Sequence, residues 1–174
     1  VLLLRARDAD RGRARRVRAA VRVAVLTTSY PRDGEDHVGR FVADAVERLR
    51  ARGVEIEVLA PGRYRDFGLA YGDGVPANLR RRPWAGPLLL GSMTLAARRA
   101  GARADLLHGH WLPAGAAAAA SGRPFVVTLH GSDVALAGKA PSLARPVLRR
   151  AATVICVSRA LAEEAVRLGA RRVE

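Results

Sequence analysis

Short apolar runs alternate along most of this chain with stretches whose apolar residues recur every three to four positions. The short runs, bounded by Gly, Pro or polar residues, are typical of buried strands, and the longer period is typical of amphipathic helices. The pattern predicts strands at 21–27, 54–60, 125–129 and 153–157, with a further short strand starting at 105–107. It predicts helices at 38–52, 88–100, 113–120, 141–151 and 159–168.

Strands and helices therefore alternate, and no two predicted strands are joined by a tight-hairpin signature. This order predicts an α/β fold with a doubly wound parallel sheet. A chain of 174 residues fits one such domain. We expect residues 1–20 to form a disordered basic leader and residues 61–86, which carry several Gly and Pro, to be irregular.

The helical period is clearest after the first loop, where one apolar stripe is expected to face the core and Gly53 to act as the C-cap. The stripe comprises Val38, Phe41, Val42, Ala45, Val46 and Leu49.

Two histidine-bearing segments, 105–115 and 125–133, each begin as an apolar run and end in His, Gly and polar residues. A parallel sheet gathers such side chains at the carboxyl ends of its strands. Ser132 or Asp133 can cap the helix expected after the second segment, which would favour an anion beside His130. His130 suits hydrogen bonding to a sugar hydroxyl or phosphate, or proton transfer. The alternative is a turn histidine with a local hydrogen bond.

His108 and His110 are two residues apart, so on a continuing strand both rings would share one face. Together with His130 and Asp133 they could bind zinc. We favour no metal site, because these residues are not closely clustered in the sequence, and expect one buried and one site-facing histidine instead.

The loop after the first strand is long and carries Gly34 and Gly39. It contains neither G-x-G-x-x-G nor G-x-x-x-x-G-K-[ST], which argues against an ordinary NAD site and a P-loop. Gly39, at the predicted helix start, either lets a phosphate approach backbone N–H groups or merely eases the turn. Glu47 and Glu55 are expected to be solvated charges rather than an acid/base pair.

The formal net charge is +14 and comes from 30 Lys and Arg against 16 acidic residues. Nucleic acid, anionic lipid, a phosphorylated substrate or simply a solvated basic surface could account for it. The single cysteine, Cys156, excludes an internal disulfide framework and is expected to be a buried thiol. Because no apolar stretch approaches roughly 18 residues, we expect a cytoplasmic location, with the inner membrane surface as the alternative.

Five segments, taken in order, resemble the N-terminal half of a GT-B glycosyltransferase of the large retaining family 4. They are the first strand with Ser29-Tyr-Pro31 and Gly39, the strand region 53–61, and segments 105–111, 127–133 and 151–158. The resemblance covers about residues 21–172. It implies a Rossmann-like sheet that forms one of the two domains of a GT-B fold.

The resemblance also implies a function and a set of site residues. The domain would bind the acceptor and help form the cleft for a nucleotide-sugar donor, with no metal or other cofactor. Gly39 would lie near the donor pyrophosphate, and His130 would contact the transferred sugar or the acceptor. The residues implied to line the cleft are His110, Asp133 and Ser158.

Two departures from the family pattern bear on activity. The frequent Gly-Gly of the first loop is Val38-Gly39 here, and the chain stops at Glu174, where the family continues into a nucleotide-binding C-terminal domain. We therefore expect no transfer without that partner domain. The alternatives are a non-catalytic module that binds a phosphorylated or glycosylated ligand, or a basic membrane-surface binder; nucleic acid is the less favoured partner.

Overall fold

The computed structural model describes residues 20–133 and 141–174. The expected basic leader, except for the exposed Ala20, lies outside the described residues. The strands are β1 (Arg22–Leu26), β2 (Glu55–Leu59), β3 (Leu106–His110), β4 (Phe125–Leu129) and β5 (Thr153–Cys156). The helices are α1 (Arg40–Arg50), α2 (Gly74–Arg81), α3 (Ala85–Gly101), α4 (Leu112–Ala120), α5 (Pro141–Arg150) and α6 (Arg159–Arg167).

The five strands form one parallel sheet in the order β2-β1-β3-β4-β5. The chain first moves outward from β1 to β2 and then returns past β1 to β3, so the direction of winding reverses between β1 and β3. This confirms the predicted Rossmann-like, doubly wound fold. In such sheets ligands bind at the carboxyl ends of the strands on either side of the reversal.

The two faces of β1 show how the strand alternation builds two layers of core. Val23 and Val25 pack on one face against Val42 and Val46 of α1. The residue between them, Ala24, belongs to the larger cluster on the opposite face, where α3 and α4 pack. Because side chains alternate along a strand, each face of the sheet is covered by a different set of helices.

The predicted stripe of α1 is only partly the core face. Val42 and Val46 are buried, whereas Val38 is exposed and Phe41 is 49% exposed. Phe41 lies in the first turn of α1 and contacts Trp111 and His130. The expectation that Phe41 faces the core is therefore wrong, because this turn lies beside the polar carboxyl edge of the sheet. The C-cap of α1 is Ala51 and not Gly53 as predicted; Gly53, with φ +82°, lies three residues after Arg50 and its N–H donates to the carbonyl of Arg50.

The region expected to be irregular, 61–86, contains the helix α2 and the start of α3. Asn78 of α2 is buried, and its side-chain amide donates to the carbonyls of Leu69 and Tyr71. These bonds satisfy the backbone of a Gly-rich loop, so a helix forms where the sequence pattern alone is weak. Within the described residues, none of the helices is sufficiently long and apolar to cross a bilayer.

Candidate functional site

Three of the chain's four histidines form a stacked column at the carboxyl ends of β3 and β4. The ring centroids of His108 and His110 are 4.5 Å apart, and those of His110 and His130 are 5.5 Å apart, with nearly parallel planes. Nδ1 of His110 lies 3.3 Å from Nε2 of His130, and Nε2 of His108 lies 2.8 Å from Oγ1 of Thr128. The structure thus joins the two histidine-bearing segments into one cluster.

Burial keeps this column uncharged near neutral pH. It lowers the pKa of His108 to about 4, with a smaller contribution from the charge of His130. The pKa of His110 falls to about 3, again chiefly through burial and then through repulsion by the other two rings. Burial also lowers the pKa of His130, which is only half-buried. His108 is also partly exposed, but His130 is the ring of the three that contacts the exposed Phe41, so it is the member of the column best placed to meet a ligand.

His110 is 5% exposed and lies beneath His130 rather than at the surface. Because its ring nitrogen faces that of His130, a proton on one ring must be matched by a lone pair on the other. A buried neutral imidazole in this position favours one tautomer and one orientation of the half-buried ring above it. Its geometry is that of a residue that supports His130.

Two aromatic side chains border His130 on the open side of the column. Its ring centroid lies 4.6 Å from Trp111 and 4.9 Å from Phe41, and the Phe41 and Trp111 rings meet edge to face at 5.6 Å. Neither residue was predicted to belong to the site. Phe41 fits the apolar stripe of a helix, which predicts a core position for it. Trp111 could have been assigned to the site because it directly follows His110 at a strand end.

Trp111 joins β3 to α4 in a backbone conformation that is ordinarily restricted to glycine. Its φ is 67° and its ψ is 155°, a combination that costs a non-glycine residue about 1–3 kcal/mol. The Trp111 N–H donates to the carbonyl of Thr128, and its carbonyl accepts from the N–H of Gly115. The strain is therefore held by bonds to both the sheet and the helix.

A close approach of β3 and α4 enforces this sharp turn. A Cβ built on Gly109 would lie 2.6 Å from the backbone nitrogen of Gly115, and one on Gly115 would lie 2.8 Å from Cγ2 of Val127. Glycine at position 109 lets the backbones of β3 and α4 meet, and glycine at position 115 leaves room for the side chain of Val127. Pro113 in the first turn of α4 and the alanines that follow complete a narrow helix that fits this space.

Asp133 is 3% exposed, although it was expected to line the cleft. Its Oδ1 accepts the N–H of Leu112 at 2.7 Å, and its Oδ2 accepts the N–H of His130 at 2.7 Å. Residues 131–133 are already helical, so Asp133 reaches back from the first turn instead of serving as the N-cap. Burial raises the pKa of this carboxyl group, and the two N–H donors oppose that rise.

Gly39 precedes α1 with φ 71°, in the left-handed region. A Cβ there would clash with the carbonyl group of Ser29 and lie 2.7 Å from the nitrogen of Tyr30. Glycine is thus required both for its conformation and for the packing of α1 on the first loop. Phe41, two residues later, brings this helix start beside His130.

Ser158 lies at the end of β5, where its hydroxyl accepts the N–H of Leu161 at 3.3 Å and caps α6. This confirms the predicted N-cap. Among the described residues no hydrogen bond joins Ser158 to the histidine column, so the structure places it on the same edge of the sheet but outside the cluster.

The segment after β2 packs against the first loop. The hydroxyl of Tyr64 donates to the carbonyl of Thr27 at 2.7 Å, and that of Tyr71 donates to the carbonyl of Tyr30 at 3.3 Å. Arg32 of the first loop lies over the Tyr71 ring, 4.9 Å from its centroid. Residues 61–73 therefore form the rim beside the start of α1, next to Gly39.

The cluster contains no metal-binding arrangement in the described ranges. No group of three or more His, Cys, Asp or Glu side chains in residues 20–133 and 141–174 is arranged to hold an ion. Each oxygen of Asp133 accepts a backbone N–H group. Cys156, expected to be buried, is half-buried, and burial raises the pKa of its thiol.

The fold and the site define a doubly wound α/β domain whose carboxyl edge is lined by histidine and aromatic side chains. Among protein-family models, the sequence matches that of Glycosyltransferase Family 4 over residues 38–174. The chain belongs to this family, which supports a glycosyltransferase-type function, and the fold is consistent with a GT-B domain. A search among curated proteins finds no match.

Proposed function

We propose that this domain forms the acceptor-side wall of a retaining glycosyltransferase, which moves a sugar from a nucleotide-sugar donor to an acceptor. One observation carries the proposal: a chain of this family brings His130, two aromatic rings and the start of α1 together at the carboxyl edge of the sheet. That edge, beside the reversal of winding, is where such folds bind ligands.

In this proposal His130 hydrogen-bonds the transferred sugar or the acceptor. It is half-buried, and the other two rings of the column are uncharged at neutral pH. A neutral imidazole can accept a hydrogen bond from a hydroxyl group, and its orientation is supported by the nitrogen of His110 at 3.3 Å. His110 supports this orientation from beneath, and Ser158, at the end of the neighbouring strand β5, lines the cleft.

Phe41 and Trp111 give the wall an apolar surface next to His130. The C–H face of a sugar ring is apolar and slightly positive, and it packs well on the negative face of an aromatic ring. The half-exposed Phe41 ring is available for such a contact. A sugar held there would direct its hydroxyl groups toward His130.

Gly39 is proposed to lie near the donor pyrophosphate. It begins α1 without a side-chain cap, and a helix start is a favourable place for an anion. The clash of a Cβ with Ser29 gives a second, structural reason for glycine, so a phosphate contact does not by itself account for the residue. Positive groups and helix N-termini would stabilise the leaving phosphate without a metal cofactor.

The proposal requires a second, nucleotide-binding domain for turnover, as the family resemblance implies. Acceptor choice would depend on residues 61–73, because this segment borders the first loop through Tyr64 and Tyr71.

We place the protein in the cytoplasm, with peripheral contact to an anionic membrane as a secondary proposal. That contact would use Trp84, 63% exposed, and Leu88, 47% exposed, together with the exposed Arg80, four residues before Trp84 in the chain. Vesicle co-sedimentation that is unchanged by Trp84→Ser would contradict it.

The test is a transfer assay on the product of the whole gene and on residues 21–174 alone. UDP-glucose, UDP-N-acetylglucosamine and GDP-mannose are supplied in turn with a cell extract as acceptor source, and nucleoside diphosphate release and glycosylated products are measured by mass spectrometry. We expect one donor to be consumed by the whole product and none by the isolated domain. Absence of transfer from every nucleotide sugar by the whole product would contradict the proposed activity. Equal rates for both proteins would contradict the need for a second domain.

A further inference from the structure

We propose that Asp133 is a positioning residue, whose carboxylate fastens the turn after β4 to the start of α4 and so sets the placement of His130 relative to Trp111. This connection, which we call the Asp133 clip, comprises the two bonds from Asp133 to the N–H groups of His130 and Leu112. The clip goes beyond the proposed function, and only its consequence for turnover rests on that function.

The clip joins two separate elements at a buried point. Asp133 is 3% exposed, and each oxygen accepts one backbone N–H at 2.7 Å, from Leu112 and from His130. Hydrogen bonds to an ionised carboxylate are short and strong, and the start of α4 favours negative charge. The N–H of Asp133 also donates to the carbonyl of His130 at 2.9 Å. Three bonds therefore fix the backbone of the turn that carries His130.

The clip also acts directly on the strained Trp111. The ψ angle of Trp111 sets the direction of the next N–H, that of Leu112, which Asp133 holds. The N–H of Trp111 is held by the carbonyl of Thr128. With both sides fixed, Trp111 retains a conformation that it would otherwise leave, because strained residues persist only where their surroundings determine them fully.

The consequence lies in the contact between the two rings. His130 and Trp111 belong to different strand–helix connections, yet their centroids are 4.6 Å apart. Without the clip, Trp111 can relax toward ordinary backbone angles and the turn at His130 loses one hydrogen bond. Because Asp133 is buried and each of its oxygens already accepts an N–H, it acts on a ligand through these two residues and not by contact.

Fluorescence tests the clip without any substrate. The chain has two tryptophans, Trp84 and Trp111, so Trp84→Phe leaves Trp111 as the single reporter. A protonated imidazole quenches a neighbouring indole, so emission should fall as pH is lowered through the pKa of His130, which burial keeps below its ordinary value. The other titratable ring that contacts Trp111 is His110, with centroids 6.4 Å apart, and His130→Gln identifies the step that belongs to His130.

In this background, Asp133→Asn retains one of the two acceptors and Asp105→Asn serves as an exposed control. We expect Asp133→Asn to shift Trp111 emission to longer wavelength and to reduce the His130-dependent quench at least twofold, with unchanged far-UV circular dichroism. The control should match the parent. An unchanged emission maximum and quench, with only a lowered unfolding midpoint, would show that Asp133 merely stabilises α4 and would overturn the proposal.

Amide hydrogen exchange on the unmodified full chain provides a check that does not depend on any variant folding. The N–H groups of Leu112 and His130 should exchange slowly and at similar rates, since one carboxylate protects both. Rapid exchange at either position would overturn the clip. Neither measurement uses a sugar, so failure of the clip and failure of the proposed transfer are distinguishable.

Discussion

The two ends of the same sheet differ in the burial and charge of their polar groups. At the amino end, Arg22 pairs with Asp105 at 3.1 Å and Arg103 with Glu57 at 3.8 Å, all with exposed side chains. The pKa of Asp105 is lowered first by the backbone N–H of Arg22 and then by its guanidinium. Ion pairs of this kind in solvent contribute little to stability.

At the carboxyl end, polar groups are buried and mostly uncharged, and the backbone is strained. Three imidazoles stack with lowered pKa values, a buried carboxylate accepts two N–H groups, and Trp111 adopts a glycine-like conformation. The same strands support both ends, so the difference arises from the connections and not from the sheet. The comparison shows that buried polar groups and backbone strain at the carboxyl end lower stability, which is typical of functional sites.

The largest expected effect of a single substitution is at Gly39. Gly39→Ala should lower the free energy of unfolding by roughly 4 kcal/mol, because a positive φ and a clash with the backbone of Ser29 act together. Gly53→Ala is the matched control: its φ is also positive, but no atom of the described residues lies within 4 Å of the added Cβ. It should cost about 1 kcal/mol. Urea unfolding measures both, and equal costs would contradict the packing argument.

Two acidic residues make the comparison between the ends direct. Asp133→Ala should destabilise the protein by roughly 3 kcal/mol, because it leaves two buried N–H groups without their acceptor. Asp105→Ala, at the exposed amino end, should leave the unfolding midpoint nearly unchanged. Thermal and urea unfolding of the pair provide the test, and similar losses at the two ends would remove the distinction.

The buried histidines make stability depend on pH. In the unfolded chain a histidine has a pKa of about 6.5, whereas burial lowers the pKa of His108 to about 4 and of His110 to about 3. The unfolded state then binds more protons below pH 6.5, so the stability present above that pH is lost as pH falls. We expect a loss of roughly 2 kcal/mol for each of these two histidines between pH 7 and pH 5.

The matched variants for this pH dependence are His108→Gln and His37→Gln. Since the first removes a buried titrating group, unfolding measured across pH 5–7 should become less steep. The second removes the exposed histidine of the first loop and should leave the slope unchanged. Identical slopes for all three proteins would place the pH dependence outside the histidine column.

The smallest effect concerns the strain at Trp111. Glycine ordinarily destabilises a position relative to alanine, but here φ is positive. Trp111→Gly should therefore be more stable than Trp111→Ala by about 1 kcal/mol. Both variants lose the ring contacts equally, so the difference isolates the backbone. The ordinary order, with alanine the more stable, would show that the turn relaxes once the indole is removed.

The sequence pattern predicted the sheet well because its signals are local. Strand and helix periods gave the five strands and most helices, and the i, i+2 spacing placed His108 and His110 on one face. It could not show that the first turn of α1 lies beyond the core, so Phe41 was misassigned. The partners of Asp133 were also beyond reach, because Leu112 lies 21 residues away and becomes a neighbour only in the folded chain.

The central claim is that His130 meets the substrate at this edge, and kinetics of His130→Ala in the product of the whole gene test it most directly. The comparison protein is His37→Ala, which removes a histidine outside the column. We predict that His130→Ala lowers kcat/KM for sugar transfer by about 100-fold, with the fold unchanged by circular dichroism and the control near the parent value. Turnover by His130→Ala with unchanged kcat and unchanged KM would contradict the account.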